Sequence, residues 1–200
     1  RAMPTKRQTV LFSATFPETI EAITQTFQHE PRRVTIETPE EELADIRQLK
    51  LIAHSDERLH ALCWLLHSFP HESALVFCNF KSTVAELVET LSRAGVSVDR
   101  LDGDLDQFHR DQVLARFRNQ SVRVLVATDI AARGIDIADL PHVVNYELPN
   151  IPEDYVHRIG RTGRAGKAGN AVSLVSDVEE GYLWDIEKTM KKHIPLFKID

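Results

Sequence analysis

The chain has 200 residues, 42% of them hydrophobic, and a formal net charge of −6 from 24 Lys and Arg against 30 Asp and Glu. That length suits one domain with an appendage, and no apolar run approaches the ~20 residues of a membrane-spanning helix. The acidic balance excludes a uniformly basic surface but not a local basic patch, and Arg158 to Lys167 holds four cations and no acid.

The opening residues, Arg1-Ala2-Met3-Pro4-Thr5-Lys6, start basic but lack a small-residue cleavage site behind an apolar stretch. No signal peptide is read there. The first residue is not Met, so the chain reads as a fragment or a processed product. Residues 8–14 (Gln-Thr-Val-Leu-Phe-Ser-Ala) have the apolarity of a buried strand. Thr15 can cap a helix and Pro17 suits its first turn, so a helix is expected to about Phe27. Pro31 ends it, and Arg33–Ile36 reads as a short strand. Residues 37–45, with Pro39 and Glu40-Glu41-Glu42, form an acidic linker, and a domain boundary is placed there.

Beyond the linker, strands and helices alternate. Strands are predicted at Arg47–Ala53, Ala74–Cys78, Val98–Leu101, Val122–Ala127, His142–Tyr146 and Ala171–Val175. Helices are predicted at Glu57–Ser68, Ser82–Ala94, Gln107–Asn119, Pro152–Ile159 and Glu179–His193, the second stopping at Gly95. Apolar strands separated by such helices imply βαβ units and a mainly parallel α/β sheet. Cys63 and Cys78 lie apart in apolar runs, without a CxxC pair. They read as free thiols in a reducing compartment, the cytoplasm, and neither a disulfide nor a metal site is expected.

In open α/β sheets ligands bind beyond the carboxyl ends of the strands. Four polar segments fall there: Asn79-Phe80-Lys81, Asp102-Gly103-Asp104, Thr128-Asp129, and the turn opened by Asn145-Tyr146-Glu147. The most informative string is His157-Arg158-Ile159-Gly160-Arg161-Thr162-Gly163-Arg164-Ala165-Gly166-Lys167. Half of the chain's eight glycines, Gly160, Gly163, Gly166 and Gly169, fall in ten residues. Such a stretch brings backbone close to an anion while guanidiniums, which bind phosphate oxygens bidentately, converge on it. A second segment, Ala127 to Ile137, contains an Arg-Gly turn followed by Asp136. Its carboxylate can bond ribose hydroxyls and Thr128 can reach a phosphate oxygen, or Asp129 and Asp136 serve only as turn or cap residues. Gln107 and Arg110, at i and i+3, share a helix face near an N-terminus favourable to phosphate, or mark an ordinary helix start. Ser13-Ala14-Thr15, taken alone, is a plain helix cap.

These segments, in this order and spacing, resemble the DEAD-box branch of the helicase superfamily over nearly the whole chain. Ser13-Ala14-Thr15 is similar to the motif that ends the first RecA-like domain, and Val76-Phe77-Cys78-Asn79 to the next motif. Gln107 and Arg110 match the QxxR element, Ala127 to Asp136 the ATP/RNA motif, and His157 to Arg164 the arginine-finger motif. The resemblance implies a RecA-like fold at 46–200, preceded by the end of a first RecA-like domain at 1–36 and a linker at 37–45. It implies that Arg161 and Arg164 are catalytic fingers on the γ-phosphate and that Asp136 and Gly134 hold the ATP ribose. Gln107, Arg110 and Thr128 would contact an RNA backbone, single-stranded or short duplex. Ser13, Thr15, His157 and Arg158 would couple this half to the N-terminal RecA-like domain.

Two departures stand out. Phe80 occupies a position where the family often has Thr, and Asp102, where it often has His, puts an acid near the expected RNA path. The wording around Gly103–Phe117 resembles a bacterial subfamily acting on ribosomal RNA. The chain contains no GxxxxGK[ST] loop and no Asp-Glu-Ala-Asp box, which the family carries in its first domain together with most of the Mg²⁺ coordination. The reading is therefore one wall of an ATP-dependent RNA helicase cleft, inactive alone, with ATP, RNA and the N-terminal domain as partners. Two alternatives stand beside it: a catalytically silent RNA- or protein-binding module, and a DNA helicase of the wider superfamily.

Overall fold

The structure is a computed structural model that describes residues 4, 6–12, 18–35, 46–133, 135, 137, 139–163 and 168–197. The chain falls into two compact units, Arg1–Pro39 and Glu40–Asp200.

Among its described residues the first unit holds one helix, α1 (Glu18–Phe27). The strand expected at 8–14 does not form over its described part: Gln8 to Phe12 are irregular and exposed, Phe12 at 92%. Arg33 to Thr35 are likewise irregular and exposed, so the expected strand there is also corrected. A strand closes its backbone hydrogen bonds only against a neighbour, and among the described residues none pairs with either segment. Ser13, Thr15 and the proposed linker lie outside the described residues.

The second unit is a six-stranded, wholly parallel sheet in the order β1-β6-β5-β2-β4-β3. Its strands are β1 (Ile46–Ile52), β2 (Ala74–Cys78), β3 (Val98–Leu101), β4 (Val124–Thr128), β5 (His142–Asn145) and β6 (Gly169–Val175). Its helices are α2 (Arg58–Ser68), α3 (Lys81–Arg93), α4 (Gln107–Arg118), α5 (Asp129–Ala132), α6 (Pro152–Ile159) and α7 (Glu180–Met190). The predicted strands agree with these to within two residues, because apolar runs buried on both faces identify central parallel strands. The short α5 was not foreseen, and the last predicted helix splits into a 3-10 turn (Asp177–Glu179) and α7.

Side-chain alternation divides the core. Val76 and Cys78 of β2, with Val124 and Val126 of β4, face Leu62 and Leu66 of α2 and Val84, Leu87 and Leu91 of α3. Leu75 and Phe77, with Leu125 and Ala127, face the other way, onto Val113, Leu114 and Phe117 of α4. A third cluster joins Tyr155 and Ile159 of α6 to Leu183 and Ile186 of α7. The α3 helix ends at Gly95, whose φ of +79° closes the last turn through Val96 N to Leu91 O at 2.9 Å. Edge strand β1 is covered by the chain's own end: Lys50 N donates to Pro195 O at 2.9 Å and Phe197 N to Lys50 O at 2.6 Å. This shields an otherwise open row of backbone groups.

At the amino end of β5, His142 stacks on Phe69, ring centroids 3.7 Å apart, with Nε2 2.9 Å from Glu72 Oε2. Glu72 favours the imidazolium, but burial outweighs it and lowers the His142 pKa. A base whose folded pKa lies below its unfolded one contributes stability that is present above the unfolded value and lost as pH falls through it towards the folded value. Exposed His54 is shifted the other way by Asp177, so its contribution is present at low pH and lost as pH rises. The difference in melting temperature between the native chain and His142→Gln should therefore shrink from pH 8 to pH 5, measured by circular dichroism. Every strand of the sheet lies at or beyond Ile46. Deletion of residues 1–44 should leave the melting temperature within a few degrees and reduce self-association through the exposed Val10-Leu11-Phe12 segment, measured by calorimetry and sedimentation.

Candidate functional site

The carboxyl ends of β2, β4 and β5 carry Asn79, Asp129 and Asn145-Tyr146-Glu147. Arg158, on the last turn of α6, points into this edge and is 1% exposed. Its Nε donates to Asp129 Oδ1 at 2.7 Å and its Nη2 to Asp129 Oδ2 at 2.6 Å, a bidentate fork. Nη2 also donates to Asn79 Oδ1 at 2.8 Å, and Nη1 to Glu147 O at 2.6 Å. The guanidinium lies over the Phe77 ring, 5.2 Å from its centroid. Asn79 extends the network: its N–H donates to Glu147 Oε2 at 2.7 Å and Nδ2 to Leu148 O at 2.8 Å.

In this unit Arg158, one of the residues expected to couple to another domain, sits inside the strand-end network. Its donors are spent inside the unit, because only a planar five-donor group can satisfy three strand ends at once. The sequence held a signal for this: Asn79, Asp129 and Glu147 each follow a strand, and their polar groups need a buried partner. A second buried cluster was missed as well. Ser176-x-x-Glu179 is a capping box, and Glu179 pairs with Arg58 and accepts from Leu148 N at 2.9 Å. Asp102 is also corrected. At 1% exposure, its carboxylate accepts from Asp104 N at 2.9 Å and so lies beneath the surface.

Arg161 follows α6 in the turn that leaves it. Nη1 donates to Ile135 O at 2.8 Å, and the Arg161 carbonyl accepts from Leu140 N at 3.2 Å. The string from His157 is thus tied to the segment after α5. Buried Thr162 donates its hydroxyl to Leu140 O. Gly163 has φ +67°, and a Cβ on Gly169 would lie 2.4 Å from Gly163 N, so both positions demand glycine. Gly160, at φ −65°, does not. Arg164, Gly134 and Asp136 lie outside the described residues.

The structure does not bring Gln107 and Arg110 onto one point. Gln107 Nε2 donates to Asp111 Oδ1 at 2.7 Å along α4, and Arg110 donates to Ala131 O in α5. The amino end of α4 is capped by Asp106, which accepts from His109 N at 2.8 Å; that bond holds the Asp106 carboxyl below its usual pKa. Thr128 is half-buried at the amino end of α5. His157 is half-exposed on α6, its Nδ1 3.6 Å from Asp154 Oδ1. Cys78, two residues after Val76, is buried, and burial drives its thiol pKa up. Among the described residues no cluster of His, Cys, Asp and Glu has the makings of a metal site, and no helix is long and apolar enough to cross a membrane.

Removing Arg158 strands the Asp129 carboxylate and the Asn79 carbonyl. Arg158→Ala should cost on the order of 3–5 kcal/mol, the scale of breaking a buried ion pair. Arg158→Lys should recover little of it, because one ammonium cannot reproduce the fork. Urea unfolding of the two variants against the native chain measures both.

A family profile described as "Helicase conserved C-terminal domain" matches residues 57–166. The chain is 43% identical over 196 residues to the DEAD-box ATP-dependent RNA helicase CshA of Geobacillus kaustophilus, covering 98% of this chain but 42% of that protein. It therefore spans less than half the length of that relative. Its structure is similar to that of the E. coli DEAD-box protein SrmB bound to regulator of ribonuclease activity A, with TM-score 0.74 and 36% identity, over 78% of this chain and 92% of that one. It is also similar to S. cerevisiae Dbp5 bound to RNA and ADP BeF3, with TM-score 0.86 and 32% identity, over 97% of this chain and 52% of that one.

Proposed function

The chain belongs to the helicase conserved C-terminal domain family, in its bacterial DEAD-box RNA helicase branch, and from that premise we propose that it forms one wall of an ATP-dependent RNA-remodelling cleft. The opposite wall is a first RecA-like domain carrying the phosphate-binding loop and the carboxylates that hold Mg²⁺. The observation that carries this reading is Arg161. Its guanidinium rests on the carbonyl of residue 135, and that residue stands in the chain between Gly134 and Asp136. The cationic turn and the ribose-contact segment are thereby held side by side at one edge of the sheet.

On this reading, Arg161 and Arg164 act on the γ-phosphate as the two domains close. Phosphoryl transfer asks mainly for positioning and for charge opposite the developing negative oxygens. Asp136 takes the ribose, with Gly134 permitting close approach of the backbone. Arg158 does none of this directly; by locking β2, β4 and β5 to α6 it sets where the Arg161 turn begins. Gln107 and Arg110 on α4 and Thr128 at the end of β4 hold the RNA sugar–phosphate backbone. Binding of that kind tolerates sequence and weakens with salt. His157, Ser13 and Thr15 meet the first domain.

Lys in place of Arg keeps the charge but loses the planar fork. In the full-length parent protein, Arg161→Lys or Arg164→Lys should lower kcat for RNA-stimulated ATP hydrolysis by at least about 100-fold, the scale of one lost preorganised donor. The melting temperature should stay within a few degrees. Activity within a few-fold of native in a folded variant would remove that residue from the finger role.

A further inference from the structure

Three large apolar side chains stand exposed at three neighbouring strand ends: Phe80 after β2 at 60%, Ile130 after β4 at 78%, and Phe108 beyond β3 at 67%. We propose that Phe80 and Phe108, buttressed by Ile130, form a ledge on which the bases of single-stranded RNA stack. This inference rests on the RNA-backbone reading of Gln107, Arg110 and Thr128 given above.

The register brings the three strand ends together. Cys78 pairs with Thr128, and Leu101 with Ala127, so the chains leave β2, β4 and β3 at the ~4.8 Å spacing of adjacent strands. Lys81 Nζ, next to Phe80, donates to Asp104 Oδ1 at 2.7 Å. That bond ties the segment after β2 to the segment after β3, which leads into α4 and Phe108. Arg110 ties α4 to α5 through Ala131 O, one residue beyond Ile130. The ledge therefore lies among the residues assigned to the RNA backbone.

Folding does not account for these side chains. Phe80 is the residue that opens α3, in extended conformation (φ −120°, ψ 142°), and makes no capping bond. Ser, Thr or Asp there would satisfy a free N–H. Phe108 sits on the first turn of α4 and touches the edge of His109, centroids 5.7 Å apart at 82°, so its ring is held while its other surfaces face solvent. Single exposed apolar residues are ordinary. Rings set between backbone-binding cations and hydroxyls are how single-stranded nucleic acid is gripped, because every base offers a π-face while the phosphates take the charge. The ledge adds base stacking to a backbone grip without adding sequence preference.

The test uses the full-length parent protein with a non-hydrolysable ATP analogue. Two ligands are compared: a short mixed-sequence single-stranded RNA, and the same strand made abasic at its central positions. Phe108→Ala and Phe80→Ala should each weaken the first by roughly ten-fold, the scale of one lost base stack, and leave the abasic strand's affinity unchanged. Phe108→Leu should behave like Ala, Phe108→Trp should retain binding, and quenching of a central 2-aminopurine should fall in step. Arg110→Ala should weaken both ligands equally. If Arg110→Ala weakens binding while the Phe variants do not, or if the Phe variants weaken the abasic strand as much, the stacking ledge is overturned and the backbone path stands. If none of these substitutions changes binding, the RNA path itself is misplaced and the ledge falls with it.

Discussion

A single guanidinium organises the working edge of this sheet. Parallel strands end with polar residues pointing the same way, and each brings donors or acceptors that the apolar strand behind it cannot satisfy. Arg158 answers them together, with a fork on Asp129, a bond to Asn79 and another to the Glu147 carbonyl. An apolar side chain could fill the space but would leave a carboxylate and an amide unpaired in a low-dielectric setting. The cation also fixes the end of α6, and hence where the following turn starts.

Rigidity around that clamp differs from place to place. Below it, β2, β4 and β5 are buried on both faces and interlock with helices on each side. Beside it, Arg58, Ser176 and Glu179 repeat the device on a smaller scale and hold the end of β6 to α2 and to Leu148. Above it, the Arg161 turn is held by main-chain carbonyls and by close glycine packing.

The sheet's exposed edge combines two economies. Polar side chains and the unburied rings of Phe80 and Phe108 stand at one end of the sheet, whereas the rings needed for stability, such as Phe77 and Tyr155, are buried. Tyr155 shows the contrast: burial pushes its hydroxyl pKa up to about 12, and it donates to Gln48 at 3.2 Å.

The order of strands and helices, the parallel sheet and the family were legible in the sequence. Buried parallel strands leave unbroken apolar runs, and the His157 to Arg164 string has a wording few other structures need. The same local reading failed at Gln8–Phe12, because apolarity marks a strand only if a neighbour exists to complete its ladder. It left the surroundings of Arg158 open for a related reason. A basic residue at a helix end can face solvent or interior, and only the assembled sheet, which sets Asn79, Asp129 and Glu147 around one point from positions 11 to 79 residues away, decides that this one is buried. Sequence fixes which groups are polar and which are apolar; the distance between groups remote in the chain, and with it their pairing, is set by strand order, which only the tertiary structure supplies.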